Sequence, residues 1–347
     1  MSLFPMLLLP GTSPKLHAVK SKLFSCRKQF RKSSSATVMV LKHFQMNSDK
    51  ISVDSSTASV LRVAYQGVPG AHSEAAALKA YPHSNTVPFD KFEDAIKAAE
   101  IGLVDEAVIP IENTIGGSIH CNYDLLLRHR VHIVGETHLI VNHCLLALPD
   151  VPIHQLNSVF SHPQALVQCE MSVTKLGVTA IPVDNTALAA QIVASHGVRE
   201  NGAIASARAA EIYGLHILAT NFQDHSHNVT RFLRLARKPI VATNKTGYKT
   251  SIVFSLRGGP GELHKALSVF ASSGINLSKI ESRPEGKHAA RVVNGSKNGN
   301  TMCFNYLFFI DFEASVEEPR AQYALAHLQE LARSVRILGC YPMDTAL

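Results

Sequence analysis

Asn228-Val-Thr-Arg-Phe232 sets a hydroxyl beside a guanidinium at the head of an apolar run. Thr230 can donate a proton through a hydrogen bond, and Arg231 can grip a carboxylate with parallel N–H bonds. Carried on one rigid strand, the pair suits elimination from an acidic substrate: the guanidinium clamps the anion while the hydroxyl meets the departing group. A second string, Glu281-Ser-Arg-Pro284, closes a stretch that reads as a helix from Ala266, a stop at Gly274, a turn at Asn276 and a strand from Leu277.

The elements that must position these residues repeat. Short apolar strands at 63–65, 107–111, 158–160, 179–183 and 202–205 each pass through small or hydroxyl residues into a helical run, at 74–81, 119–127, from Pro163, at 187–194 and at 207–213. Such alternation predicts a layered α/β domain with parallel strands. A Ser, Thr or Asn at a helix start leaves backbone N–H groups and the positive dipole end open to an anion, which places Thr114, Ser161 and Thr186 among the candidates to bind carboxylates. Each hydroxyl would serve equally as a plain helix cap. Their shared place at the carboxyl ends of strands is where open α/β sheets bind ligands.

The polar run over 238–249, broken by Pro239 and Gly247, reads as a linker. Beyond it come a strand at 250–256, a helix at 260–272, strands at 277–280 and 306–312, a helix at 319–334 and an edge at 335–338. That order is βαββαβ, a ferredoxin-like sandwich, with residues 284–300 expected as a Gly- and Asn-rich loop.

The formal charge of +7 is a property of the leader. Residues 1–48 hold eight Lys and Arg and no Asp or Glu, so the remainder is close to neutral and calls for no nucleic acid. A basic, Ser-rich, acid-free leader over 1–55 reads as an organelle transit peptide. No apolar run after it reaches the roughly 18 residues of a membrane span. Six scattered cysteines without a C-x-x-C pair read as reduced thiols. His225-Ser-His227 lies in a polar loop and carries no metal-site spacing, so it reads as solvated loop. Gly67-Val-Pro-Gly70 lacks the further glycines and the Lys of nucleotide loops. Ser161 and His162 are strand neighbours facing opposite ways, which argues against a nucleophilic dyad.

Gly67-Val-Pro-Gly-Ala-His-Ser-Glu74, Pro110-Ile-Glu-Asn-Thr-Ile-Gly-Gly-Ser118, Ser161-His-Pro-Gln-Ala165, Thr186-Ala-Leu-Ala-Ala190 and Thr230-Arg-Phe232 stand in one order. Together with Glu281-Ser-Arg-Pro284 they resemble the prephenate and arogenate dehydratase family, from about Arg62 to Met343. The resemblance implies a two-lobed catalytic module over 61–237, like type II periplasmic binding proteins, and an ACT regulatory module over 250–343. It implies decarboxylative dehydration of arogenate, or of prephenate, with Thr230 and Arg231 catalytic and neither a metal nor an organic cofactor required. Substrate would be bound by Ser73, Glu112, Asn113, Thr114, Gly117, Ser161, His162, Gln164, Thr186, Asn228 and Phe232. Phenylalanine, as effector, would be bound by Gly274, Asn276, Leu277, Glu281, Ser282 and Arg283 at an interface between ACT modules. A homo-oligomer, dimer or tetramer, in the plastid completes the expectation. Cys121 stands where plant members usually place an arginine, and the loop before Asn228 is richer in His than is usual. A two-lobed cleft joined to an ACT module is also the anatomy of a non-catalytic amino-acid sensor, and that alternative stays open.

Overall fold

A computed structural model describes residues 60–242, 247–286, 290–295 and 299–345. The leader and the middle of the expected linker lie outside these residues. The first lobe contains β1 (Arg62–Gln66), α1 (His72–Ala80), β2 (Asn85–Phe89), α2 (Phe92–Glu100), β3 (Glu106–Asn113), β4 (Gly117–Ser118), α3 (His120–Arg128) and β5 (His132–Ile140). The chain then crosses into β6 (Cys144–Ala147), β7 (Ser158–Ser161), α4 (Pro163–Gln168), α5 (Glu170–Leu176), β8 (Thr179–Pro182), α6 (Thr186–His196), β9 (Asn201–Ala205), α7 (Ala207–Tyr213) and β10 (His216–Ala219). It returns as β11 (Val229–Ala236).

The first sheet runs β2-β1-β3-β11-β5 and the second β10-β6-β9-β7-β8. Both are mixed, which corrects the expectation of parallel strands. Parallel pairs join β1 to β2 and β3, and β7 to β8 and β9. But β11 comes back from the second lobe and enters antiparallel between β3 and β5. Hydrogen bonding on both sides makes it a central strand, and its head lies where the chain passes between lobes. Pro110 in β3 has no N–H to give the ladder, and the β11–β3 register slips between Arg231 and Phe232, opposite Glu112 and Pro110. The helices follow local rules: Asn185 caps α6 by accepting from Ala187 N at 2.8 Å, and Ser206 caps α7 by accepting from Ala209 N at 3.0 Å.

The second module holds β12 (Tyr248–Leu256), α8 (Glu262–Ser272), β13 (Leu277–Pro284), β14 (Ala290–Gly295), β15 (Gly299–Phe304), β16 (Tyr306–Phe312), α9 (Pro319–Leu331) and β17 (Ala332–Pro342). Its sheet order β13-β16-β12-β17, all antiparallel, is the expected ferredoxin-like sandwich. The stretch expected as a loop carries the β14–β15 hairpin.

Period-two alternation gives this sheet two apolar faces. Ile252, Phe254, Ile310 and Phe312 pack under α8 and α9 with Phe270 and Leu328. Val253, Phe309, Leu338 and Tyr341 face the other way and join one core with Ile109, Ile111, Ile133, Leu233 and Leu235 of the first lobe. The first sheet and the sandwich therefore share a buried interior. At Gly339 the two backbones nearly touch: a Cβ there would lie 2.1 Å from the Ile133 carbonyl oxygen. Gly339→Ala is expected to lower the thermal midpoint, with a loss of about 1–3 kcal/mol, because rigid backbone must shift on both sides. An unchanged melting curve would contradict this close docking.

Candidate active site

A cavity of about 320 Å³ opens between the lobes. Thr230 and Phe232 of β11 reach its wall, with Ser73, Asn113, His162, Gln164 and Thr186. The hydroxyl of Thr230 is held by a chain of amides. Asn113 Oδ1 accepts from the backbone N–H groups of Ile115 at 3.0 Å and Gly116 at 2.7 Å, which turns its Nδ2 toward Thr230. Nδ2 donates to Thr230 Oγ1 at 2.9 Å and to Asn228 Oδ1 at 2.7 Å. The Thr230 oxygen is thus an acceptor on one side, and its own proton is left to point elsewhere. Asn228 Nδ2 and His143 Nε2 both meet Gln168 Oε1 at 2.9 Å, and Gln168 Nε2 donates to Asn113 Oδ1 at 3.2 Å.

Arg231 corrects the reading of its neighbour. On a strand, adjacent side chains take opposite faces. With Thr230 toward the cavity, Arg231 points back into the interface with the sandwich, so the two do not act on one ligand from one face. Its guanidinium donates to Glu112 at 2.8 Å, Glu136 at 2.8 Å and Asp311 at 2.6 Å, and to the Tyr341 hydroxyl at 3.1 Å. Burial alone would pull its pKa down; Asp311, Tyr341, Glu136 and Glu112 more than reverse that and hold it firmly charged. Glu112 faces the same interface, where it also meets Lys279 Nζ at 2.6 Å.

Other expected site residues separate likewise. Thr114 ties its loop to the head of β11, donating to the His227 carbonyl at 2.8 Å and accepting from Val229 N at 3.0 Å. Ser161 is fully buried and donates to the Ile204 carbonyl at 2.6 Å. Gly117 lies in β4 against β3. None of these four, counting Glu112, is on the cavity wall, and Asn228 stands behind it. The cap of α6 is Asn185 rather than Thr186.

Sequence reasoning missed Gln66, His72, His143, Gln168, Asp184 and Asn185, all on the wall. His72 and His143 meet edge to face at 5.4 Å. Burial, and then His143 itself, lowers the His72 pKa to about 3; burial also lowers His143, partly offset by Gln168. His162 is lowered by burial against the opposing pull of Asp184. All three rings are neutral at pH 7.

The effector set is divided by the same alternation along β13. Gly274, in the left-handed region at φ 62°, and Asn276 are exposed at the helix end, as is Ser282 on the strand. Leu277 packs partly into the sandwich core. Glu281 instead pairs with Ser118 and lies 3.3 Å from His120, and Arg283 meets Asp124 at 2.9 Å. These two side chains pin the first lobe, a correction to their assignment as free ligand groups.

This arrangement matches known proteins. The prephenate dehydratase family model covers residues 63–240. An arogenate dehydratase/prephenate dehydratase of Arabidopsis thaliana, named chloroplastic, is 61% identical over 82% of this chain and 73% of its own. Among solved structures, prephenate dehydratase from Arthrobacter aurescens in complex with L-Phe is 27% identical, with a TM-score of 0.71 over 81% of this chain and 90% of that one. A quorum-quenching acylase is 33% identical, with a TM-score of 0.70 over 82% and 98%. The chain belongs to the prephenate dehydratase family.

Acid should loosen the junction behind Thr230. Burial pushes the Glu112 carboxyl upward, but Lys279 and Arg231 outweigh it and hold the pKa below its ordinary value. The unfolded chain then binds more protons in that window, so this stability is present above about pH 4.5 and lost as pH falls through the depressed value. Lys279→Met is expected to shrink the acid-induced loss by about 1 kcal/mol, read from urea unfolding at pH 6 and pH 4. An acid slope equal to the wild type would refute this role for the pair.

Proposed function

We propose that the protein is an arogenate dehydratase, a carbon–oxygen lyase that makes phenylalanine in the plastid, with prephenate as an alternative substrate. The observation that carries the reading is the Thr230 hydroxyl, oriented by Asn113 at the wall of an interlobe cavity in a chain of this family. In the reaction, the bond from the ring to its carboxylate breaks and CO2 leaves. The freed electron pair enters the ring, the C4–O bond breaks, and hydroxide departs as water after taking a proton. Aromatisation drives the step, so the protein must position the ring and donate to the departing oxygen. Thr230 is the donor in this reading, supported by Asn113, which occupies its acceptor side and leaves the hydroxyl proton available. Phe232 and Val141 supply apolar wall.

Residues 61–237 form the catalytic module in this reading, and residues 250–343 an ACT module. Phenylalanine binds at the exposed helix end around Gly274 and Asn276, between the edges of two such modules, which makes the active species a homo-oligomer. The bound L-Phe in the Arthrobacter relative supports an effector of that class. The basic leader and the chloroplastic relative support plastid import.

The test is purified protein incubated with arogenate and with prephenate, watching for phenylalanine and phenylpyruvate. Turnover is expected on both, with arogenate preferred. Thr230→Ala and Asn113→Ala should each lower kcat by about 10²-fold, and the double variant little further, because the two act as one donor. Binding without turnover in the wild type would instead favour the amino-acid sensor.

A further inference from the structure

The cavity holds no fixed positive charge. Among the described residues on its wall there is no Lys or Arg, and the one carboxylate, Asp184, repels an anion. Five helices, α1, α2, α3, α4 and α6, bring first-turn residues to the wall, but each helix end offers only a partial charge of about half a unit, and those of α4 and α6 are already capped by His162 and Asn185. A substrate with two carboxylates needs more than that once water is excluded. The wall does contain three histidines.

Geometry separates them. His162 Nδ1 already accepts from Gln164 N at 3.2 Å, so a proton there would break the cap of α4. His143 is 2% exposed, with its ring fixed by Nε2 donating to Gln168 Oε1. That oxygen also accepts from Asn228, so the Nε2 position carries the hydrogen and Nδ1 keeps a lone pair. Nδ1 is buried and has no hydrogen-bond partner, as is His72 Nε2. Protonation at His143 Nδ1 therefore breaks no bond.

We infer that the cleft acquires its positive charge with its ligand: one proton from solvent enters on His143 Nδ1 as the dicarboxylate binds, and the imidazolium pairs with a ligand carboxylate. This deepens the dehydratase reading and rests on it. The groups around His143 decide the count. His72 from α1 is close enough that two imidazolium charges would repel, which limits the pair to one proton. His162, Asp184 and the Cys121 thiol face it across the cavity. Behind it stand the Cys144 thiol, the Cys169 thiol, pushed up to about 12, and Asp224, whose carboxylate is engaged by Met171 N and Ser172. Burial by itself favours the neutral ring. An adjacent carboxylate reverses that preference. The overall reaction consumes one proton per turnover, so the proton that enters with the substrate also balances the chemistry.

The test is the pH dependence of the steady-state constants with prephenate, whose carboxylates stay ionised above about pH 6. The wild-type KM is expected to rise about tenfold per pH unit between about pH 6 and pH 8 while kcat stays level, because the proton is taken up on binding and retained in the complex. In His143→Gln the slope disappears and KM at pH 6 rises about tenfold or more, with kcat changed far less. A level wild-type KM, or a wild-type slope in His143→Gln, overturns the inference and leaves the dehydratase reading standing. Should that variant fail to fold, calorimetry of prephenate binding to the slow Thr230→Ala variant in phosphate and in Tris decides it. Uptake of about one proton at pH 7.5 supports the inference, and no uptake overturns it. A wild type that neither turns over nor binds prephenate or arogenate overturns the functional reading and this inference together.

Discussion

A buried guanidinium is the constraint on which the rest of this molecule depends. Arg231 lies inside the interface between two sheets and satisfies itself only by meeting Glu112 of β3, Glu136 of β5 and Asp311 of β16 at once. Lys249 Nζ meets Glu136 at 2.8 Å, and Lys279 meets Glu112. Each of these charges has lost water, so the cluster holds only if all its members stay in register. Two of the three carboxylates on Arg231 come from the first lobe and one from the sandwich. The sandwich therefore takes part in satisfying the strand that carries Thr230 to the cavity wall.

That strand has two jobs on its two faces. Thr230 and Phe232 look into the cleft, and Phe232 packs with Val63, Ala76 and Ala77. Arg231, Leu233 and Leu235 look into the shared core with Val253, Phe309 and Tyr341. A change in how the sandwich sits on β11 must reach Thr230 through one residue of backbone.

The alternation of strands and helices and the sandwich order were legible in the sequence, because each is written in local periodicity; Thr230 was singled out by its motif, and the fold sets it on the cavity wall. What was lost is facing. The alternation that separates Ser161 from His162 also separates Thr230 from Arg231, and Glu281 and Arg283 from Ser282. A string of letters invites adjacent residues to be read as partners, whereas only burial on each side says which face each takes. His143 and Gln168 had no signal at all: one follows β5 in the interlobe crossing and the other ends a helix of six residues. Polar, Pro-containing β2 lacked the apolar run that marks a strand, and the β14–β15 hairpin is built from Gly- and Asn-rich sequence that reads as loop.

The most direct measurement is a double-mutant cycle on Arg231 and Asp311, read by denaturant unfolding, with Arg231→Met and Asp311→Leu. If the two modules are joined through this charge, each single variant strands a buried partner and loses about 3–5 kcal/mol. The double variant, which removes both charges, should then recover much of that loss, with a coupling above about 1 kcal/mol. Losses that add to within about 0.5 kcal/mol would contradict the account and return Arg231 to the status of an isolated strand residue.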